Sequence, residues 1–490
     1  MKSPAAEVAE EDKGLAKNHS FTRTTRDVQA IEKAKVLVIT SAQNNTEPEW
    51  DFFQALLRYC NERQAQLIVR PIRYKNPTSR QDPQERADRG DYWWHEAFGP
   101  YLIDDSLVLH PSLVMPDMRL QATALRPLTG LDSRSKGASA IYGATQLQMR
   151  TVPTPQNELP KILYTTGAAT KKNYSATKQG NLASFHHSHS AIVVEKRGKI
   201  FHMREITWDG ESFIDVNHKF TAGGTFGADP AEALILGDEH AWFINPDFTK
   251  ATYGKDGMVE AMQPRVLVHH DVFDCFSVSP HHFKEPMMQT VKQRDGHGNL
   301  RNELEATIRY VDGTTPRYDH FEHHVIVSSN HHDHLIRWLD SGEKNVTAEN
   351  AELYHQLKHL ILSGAKMGKT RIHLPHPLRV FAENRMASPC HFLGDDESYM
   401  LRNIELGMHG HLGPNGSRGT PVGLSKIGVR FVSGHTHSPC IFQGGYWVGT
   451  GAHLRLGYTR GPSSWLHTNV ALHSNGKRQM HHIIGGNWRI

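Results

Sequence analysis

Four short apolar runs in the second half of this chain each stop at residues able to bind a hard or borderline metal ion. That ordered set constrains the fold more than any other feature. The runs are 233–237 before Asp238 and His240, 265–269 before Asp271, 324–328 before Asn330 and His331, and 429–433 before His435 and His437. A fifth piece, Gly407-Met408-His409-Gly410-His411, lies between the last two. Side chains alternate across a strand, so Asp238 and His240, like His435 and His437, converge on one side of a strand end. Open α/β sheets place their ligand sites outside the carboxyl ends of neighbouring strands.

Taken singly, most of these pieces have an ordinary explanation. An aspartate after a strand is common, and Asp238 with His240 reads equally well as a turn beside a surface histidine. Gly434-His435-Thr436-His437 is the most specific, because its glycine allows close backbone approach and its two histidines suit one ligand for each of two adjacent ions. Asn330 supplies a neutral carbonyl ligand, which leaves His331 free to move a proton. Asp274, shortly after Asp271, is placed to orient a ligand from behind. In the fifth piece the ligand is either His409 or His411.

Composition supports metal chemistry and weakens several alternatives. Histidine reaches 34 of 490 residues, and neutral imidazole is the commonest metal ligand. The four cysteines, Cys60, Cys275, Cys390 and Cys440, are far apart and form neither a thiolate zinc pair nor a disulfide framework. Net charge is only +4, with an isoelectric point near 8.7, so any surface for nucleic acid is local. The first twenty residues lack the apolar core of a secretory signal, and no run approaches the roughly 18 apolar residues of a membrane helix. A soluble, cytoplasmic protein is expected.

Three segments are expected: a mobile tail over 1–34, an α/β region of unassigned role over 35–225, and the ligand-bearing domain over 226–490. The second opens with a strand at 36–39, a helix at 49–62 and a strand at 66–69, without the glycine-rich loop of a dinucleotide site. Arg70, Arg73, Lys75 and Arg80 are candidates to track a phosphate backbone, with Trp93 and Trp94 nearby for stacking, and Lys171 and Lys172 are further candidates. Solvated cations and a buried tryptophan pair are the plainer reading. The same holds for His186, His187 and His189, which have a structural or substrate-facing role in preference to metal binding. Residues 363–370 imitate a phosphate-binding loop, but they follow an amphipathic helix and have one residue too few between glycines. Residues 283–319 form an insert that either caps the site or makes a plain surface loop.

The ordered set Asp-x-His, Asp, Asn-His, His, Gly-His-x-His resembles the calcineurin-like metallophosphoesterases over residues 233 to about 455. The resemblance implies a two-layer β-sandwich flanked by helices, an α/β (α+β) fold, here with an N-terminal α/β extension. It also implies two divalent ions. Asp238, His240, Asp271 and His437 would hold the first, Asp271, Asn330, His409 and His435 the second, and His331 would be the catalytic histidine. His409 is preferred over His411 because the family places a glycine just after that histidine. The motifs depart from the pattern where His270 and Ser329 stand in place of glycines, which leaves the ligand atoms but puts the tight turns in doubt. The stretches KVLVITSAQNNT, YTTGAATKKNY, MHGHLGPNGSRG and GPSSWLHTN are further similar to the pre-early DNA-transfer nucleases of tailed phages. That resemblance implies a metal-dependent DNase that degrades host DNA, with DNA as its substrate. The ligand types suit manganese, iron or zinc better than magnesium, and manganese is the expected metal. A small-molecule phosphodiesterase or phosphomonoesterase, or a non-catalytic DNA-binding transfer factor, are the alternatives. A homo-oligomer and a host or phage protein partner stay open.

Overall fold

The computed structural model describes residues 25–75, 92–135, 137–155, 158–370, 372–394, 396–457 and 459–490. Among them the chain is a mixed α/β structure, and no helix is long and apolar enough to cross a membrane. The tail expected over 1–34 lies, up to residue 24, outside the described residues. Beyond it Thr25–Lys33 is a helix with Ile31 buried.

The opening β-α-β unit follows its periodicity. Val36–Gln43 is buried along nearly its whole length, and Trp50–Glu62 turns Phe52, Phe53, Leu56 and Tyr59 inward. Gln66–Ile72 then returns parallel to the first strand. Both strands outrun their expected ends because Thr40, Ser41, Gln43 and Arg70 are polar yet buried.

Six strands form the sheet whose ends carry Asp238, His240, Asp271, Asn330 and His331, in the order Cys390–Phe392, His323–Ile326, Val266–His269, Ala233–Ile235, Thr468–Leu472, Arg478–His482; His409, His435 and His437 follow strands of a second sheet. The first four are mutually parallel, Thr468–Leu472 runs antiparallel to them, and Arg478–His482 pairs antiparallel with Thr468–Leu472. Strands covered on both faces read as unbroken apolar runs, which is why 233–236 and 266–268 show no alternation. Ala233, Ile235, Val266 and Val268 face a core shared with a second sheet, while Leu234, Leu236 and Leu267 face the helices Pro246–Tyr253 and Met258–Met262.

The second sheet has ten strands. It runs from Met400–Leu401 through Ile404–Glu405, Arg430–Ser433, Gly445–Trp447 and Cys440–Phe442. It continues through Met149–Val152, Lys161–Thr165, Ser139–Tyr142, Leu113–Met115 and Leu107–His110. It therefore takes strands from both sides of residue 225.

The two halves of the chain repeat one topology. Val36–Gln43 lies parallel to Gln66–Ile72 and antiparallel to Ser190–Arg197, which pairs with Ile200–Thr207. Ala233–Ile235 lies parallel to Val266–His269 and antiparallel to Thr468–Leu472, which pairs with Arg478–His482. In the ten-stranded sheet each half contributes the same sequence of one hairpin, two parallel pairings and a second hairpin. The halves join where Cys440 pairs with Arg150 and Ile441 with Met149. In the repeat the strand registers make Met149 the counterpart of Ile441, its own partner here, so the contact is self-complementary, as across a twofold axis. Sequence traces remain in HSAIVVEKRGK at 189–199 against HTNVALHSNGK at 467–477.

The 283–319 insert is helical, with Pro286–Arg294 and Leu300–Gly313. The imitation phosphate loop is the end of the helix Ala351–Gly364 followed by a two-stranded ladder, Lys366–Met367 with Ile372–His373.

Candidate metal centre

The strand ends adopt turns that side chains normally avoid. His240, Asp271, His435 and His437 have φ of 45°, 44°, 73° and 54°. Left-handed backbone at such residues costs on the order of 1–3 kcal/mol each and persists where the surroundings over-determine it, often at functional sites. Gly434 is required on other grounds, because a Cβ there would stand 2.2 Å from Asp238 Oδ1 and 3.0 Å from His270 Cγ. At Ser329, where the resemblance put a tight turn in doubt, the serine instead caps the helix Asn330–Asp340, its hydroxyl accepting from His332 N. The helix thus begins at Asn330 and carries His331 in its first turn.

These turns bring the candidate ligands together. His437 Nε2 lies 3.1 Å from Asp238 Oδ2, and His409 Nε2 lies 3.1 Å from Asp271 Oδ2. His240 Nε2 is 3.2 Å from His437 Nε2 and 4.0 Å from Asp271 Oδ2. His435 Nδ1 is 3.1 Å from Asn330 Oδ1. Asp274 Oδ1 lies 2.6 Å from His240 Nδ1, behind that ring. His331 donates through Nδ1 to the Asp274 carbonyl at 2.6 Å, and its Nε2 stands 3.9 Å from Asp271 Oδ2. Of the two histidines in the fifth piece, His409 is buried in the centre, whereas His411 sits at its edge, 3.9 Å from Asp333.

The electrostatics describe a site short of positive charge. Burial pushes Asp238, Asp271 and Asp274 up, but the surrounding imidazoles hold all three below the usual carboxylate value. Burial lowers His270 to about 3 and His435 to about 4, and lowers His437 against the pull of Asp238, so these rings are neutral, as a metal ligand must be. At His240 burial is outweighed by Asp274, Asp271 and Asp238, which raise its pKa to about 9. Both carboxylate oxygens of Asp238, Asp271 Oδ1 and His409 Nε2 are buried without a well-directed hydrogen bond. Buried carboxylates left in that condition are expensive, and a divalent cation is the group that these donors fit. The groups Asp238–His270–His409, His240–Asp271–His437 and His240–Asp274–His331 each gather ligand atoms within 4.8 Å of one another.

Two features escape a reading of motifs alone. His270 stands among Asp238 and His409, with its Nδ1 3.4 Å from that of His409. The signal for it is the histidine found where the family pattern has glycine. Beneath the centre, Glu239 Oε2 meets His269 Nδ1 at 2.5 Å, and His269 Nε2 meets His324 Nδ1 at 2.8 Å. Tyr253 and Tyr310 donate to the other oxygen of Glu239, Tyr310 coming from the insert.

The candidate DNA contacts do not assemble into one surface. Arg70 is corrected outright: it is 4% exposed and donates to the carbonyls of Ile103, Asp105 and Pro116, so it cannot track phosphates. Arg73 pairs with Asp104 at 2.8 Å and lies over the Trp94 ring, and Lys171 pairs with Glu47 at 2.6 Å. Lys75 and Lys172 are exposed, Trp94 is buried, and Arg80 lies outside the described residues.

Fold and site together define a mixed α/β protein with buried histidine and aspartate groups able to hold metal ions. The chain is 31% identical to Protein A1 of Escherichia phage T5 over 466 residues, which cover 92% of this chain and 82% of that protein. It belongs to the family of that phage protein. No protein-family model matches the chain, and no solved structure matches it.

Proposed function

We propose that this protein is a two-metal-dependent phosphodiesterase of the metallophosphoesterase class that hydrolyses DNA, acting as a phage early protein against host DNA. The observation that carries this reading is the convergence of Asp238, His240, Asp271, Asn330, His409, His435 and His437 on one buried centre with His331 at its rim. Asp238, His240, Asp271 and His437 would hold one ion and Asp271, Asn330, His409 and His435 the other, with manganese the preferred metal. Bound there, two divalent ions would lower the pKa of a shared water and neutralise the non-bridging phosphate oxygens.

The chain's own residues supply the rest. Asp271 lies between the two groups of ligands and would bridge them. The Asp274 carbonyl accepts the Nδ1 proton of His331, which leaves Nε2 to deliver a proton to the departing oxygen. Asp274 also holds the His240 ring from behind.

The test is cleavage of plasmid and linear duplex DNA with manganese, magnesium, zinc or EDTA, beside a chromogenic phosphodiester. DNA cleavage that requires metal and is slowed in His331→Ala is the expected result. Hydrolysis of the small diester with DNA intact would make this a small-molecule phosphodiesterase. Binding of DNA without hydrolysis of either substrate would leave a transfer factor.

A further inference from the structure

The repeat shows what became of the metal centre in the first half. Pro48 pairs with Thr170 where Ile244 pairs with Ala452, and Glu49 N donates to Ala169 O where Asn245 N donates to Gly451 O. Ala42 and Asn44 therefore stand at the positions of Asp238 and His240. The strand registers likewise put Pro71 at Asp271, Ala144 at His435 and Gln146 at His437. Gly143 repeats Gly434, and its missing Cβ would stand 2.7 Å from Arg70, the counterpart of His270. The first half has kept the frame of the site and exchanged its carboxylate and imidazole ligands.

What it keeps is a cleft. Beside Gln146, a space of about 700 Å³ opens between the halves, walled by His187 and Lys172 on one side and by Arg430 and Lys477 on the other. Among the described residues lining it, four cations, Lys172, Arg430, Lys477 and Arg478, face two carboxylates, Glu49 and Asp209. Asp209 is occupied by the Glu211 and Ser212 backbone, and Arg478 by the carbonyls of Phe431 and Gly444. No ion pair forms to Lys172, Arg430 or Lys477 among the described residues. Phe185, also in the wall, is 78% exposed.

From this we infer that the cleft between the halves is a second, non-catalytic site that binds a single nucleic acid strand. Lys172, Arg430 and Lys477 take the phosphates, and Phe185 offers a stacking face for a base. Cationic grooves with exposed aromatic rings are how strands are held without sequence choice. The choice of a nucleic acid over another phosphate-bearing ligand rests on the nuclease reading.

The test uses the full chain treated with chelator, so that nothing is cut, and follows the anisotropy of a fluorescent single-stranded oligonucleotide across a salt series. Replacing Lys172, Arg430 and Lys477 together by Ala is expected to weaken binding at least tenfold and to flatten the salt slope by about 2, since each strand phosphate contact contributes about 0.7. Phe185→Ala is expected to weaken binding about tenfold and leave the slope unchanged. Both proteins are expected to keep wild-type metal content and wild-type hydrolysis of a chromogenic diester when metal is restored. Unchanged oligonucleotide affinity in the triple variant would overturn the inference, as would inorganic phosphate competing as strongly as the oligonucleotide. The two readings fail separately: if the nuclease assignment is wrong, metal-loaded protein leaves DNA intact while this binding remains.

Discussion

At the scale of single residues, Asp271 and His331 carry opposite expectations. Asp271 touches both ligand groups, so Asp271→Asn is expected to strip metal and activity together, with metal content by elemental analysis as the check. If that variant still held two ions per chain, the bridging role would end. His331 contacts the centre from its rim and is anchored by a backbone carbonyl. His331→Ala is expected to retain its metal and turn over about 10²–10⁴-fold more slowly, the usual contribution of a general acid. Gly434 is the third such position. Gly434→Ala drives a methyl into Asp238 and His270, and a lowered metal affinity with an unchanged fold, read by calorimetry and circular dichroism, is the expected outcome.

At the scale of elements, the centre depends on how strands stop and helices begin. Ser329 caps the helix whose first turn presents Asn330 and His331. Ser329→Ala is expected to lose about 1 kcal/mol of stability in denaturant titration and to weaken one metal site more than the other. Sequence patterning marks these strand ends, since a polar residue after an apolar run needs no tertiary information to be noticed. It did not reveal the left-handed turns at Asp271 and His435, because nothing in His-Asp or His-Thr asks for positive φ. Between 92 and 155 the strands Leu113–Met115 and Ser139–Tyr142 are too short for any period to register. Arg70 was misread because an arginine after an apolar run resembles a surface residue until its carbonyl cage is seen. The repeat left legible marks, GATQ at 143–146 against GHTH at 434–437, but with the ligands gone only the glycine and threonine still match.

At the scale of the whole molecule, the halves are tied through buried polar groups as well as shared strands. Glu205, from the first half, accepts from Met480 N at 2.9 Å and from Tyr164 at 3.1 Å, and burial raises its pKa to about 7. The unfolded chain gives up that proton near the ordinary value of about 4.3. The stabilisation is thus complete below about 4.3 and is lost as pH rises through about 7. Glu205→Gln is expected to melt progressively higher relative to wild type as pH rises, compared in chelator; a difference in Tm constant with pH would remove Glu205 as the cause. The antiparallel pair Cys440–Phe442 and Met149–Val152 has a longer reach. It has the form of a subunit interface that has become internal. Joining two copies in one chain fixes their ratio and ends their obligation to stay alike, so one copy can keep its buried histidines and aspartates while its twin drifts toward another task.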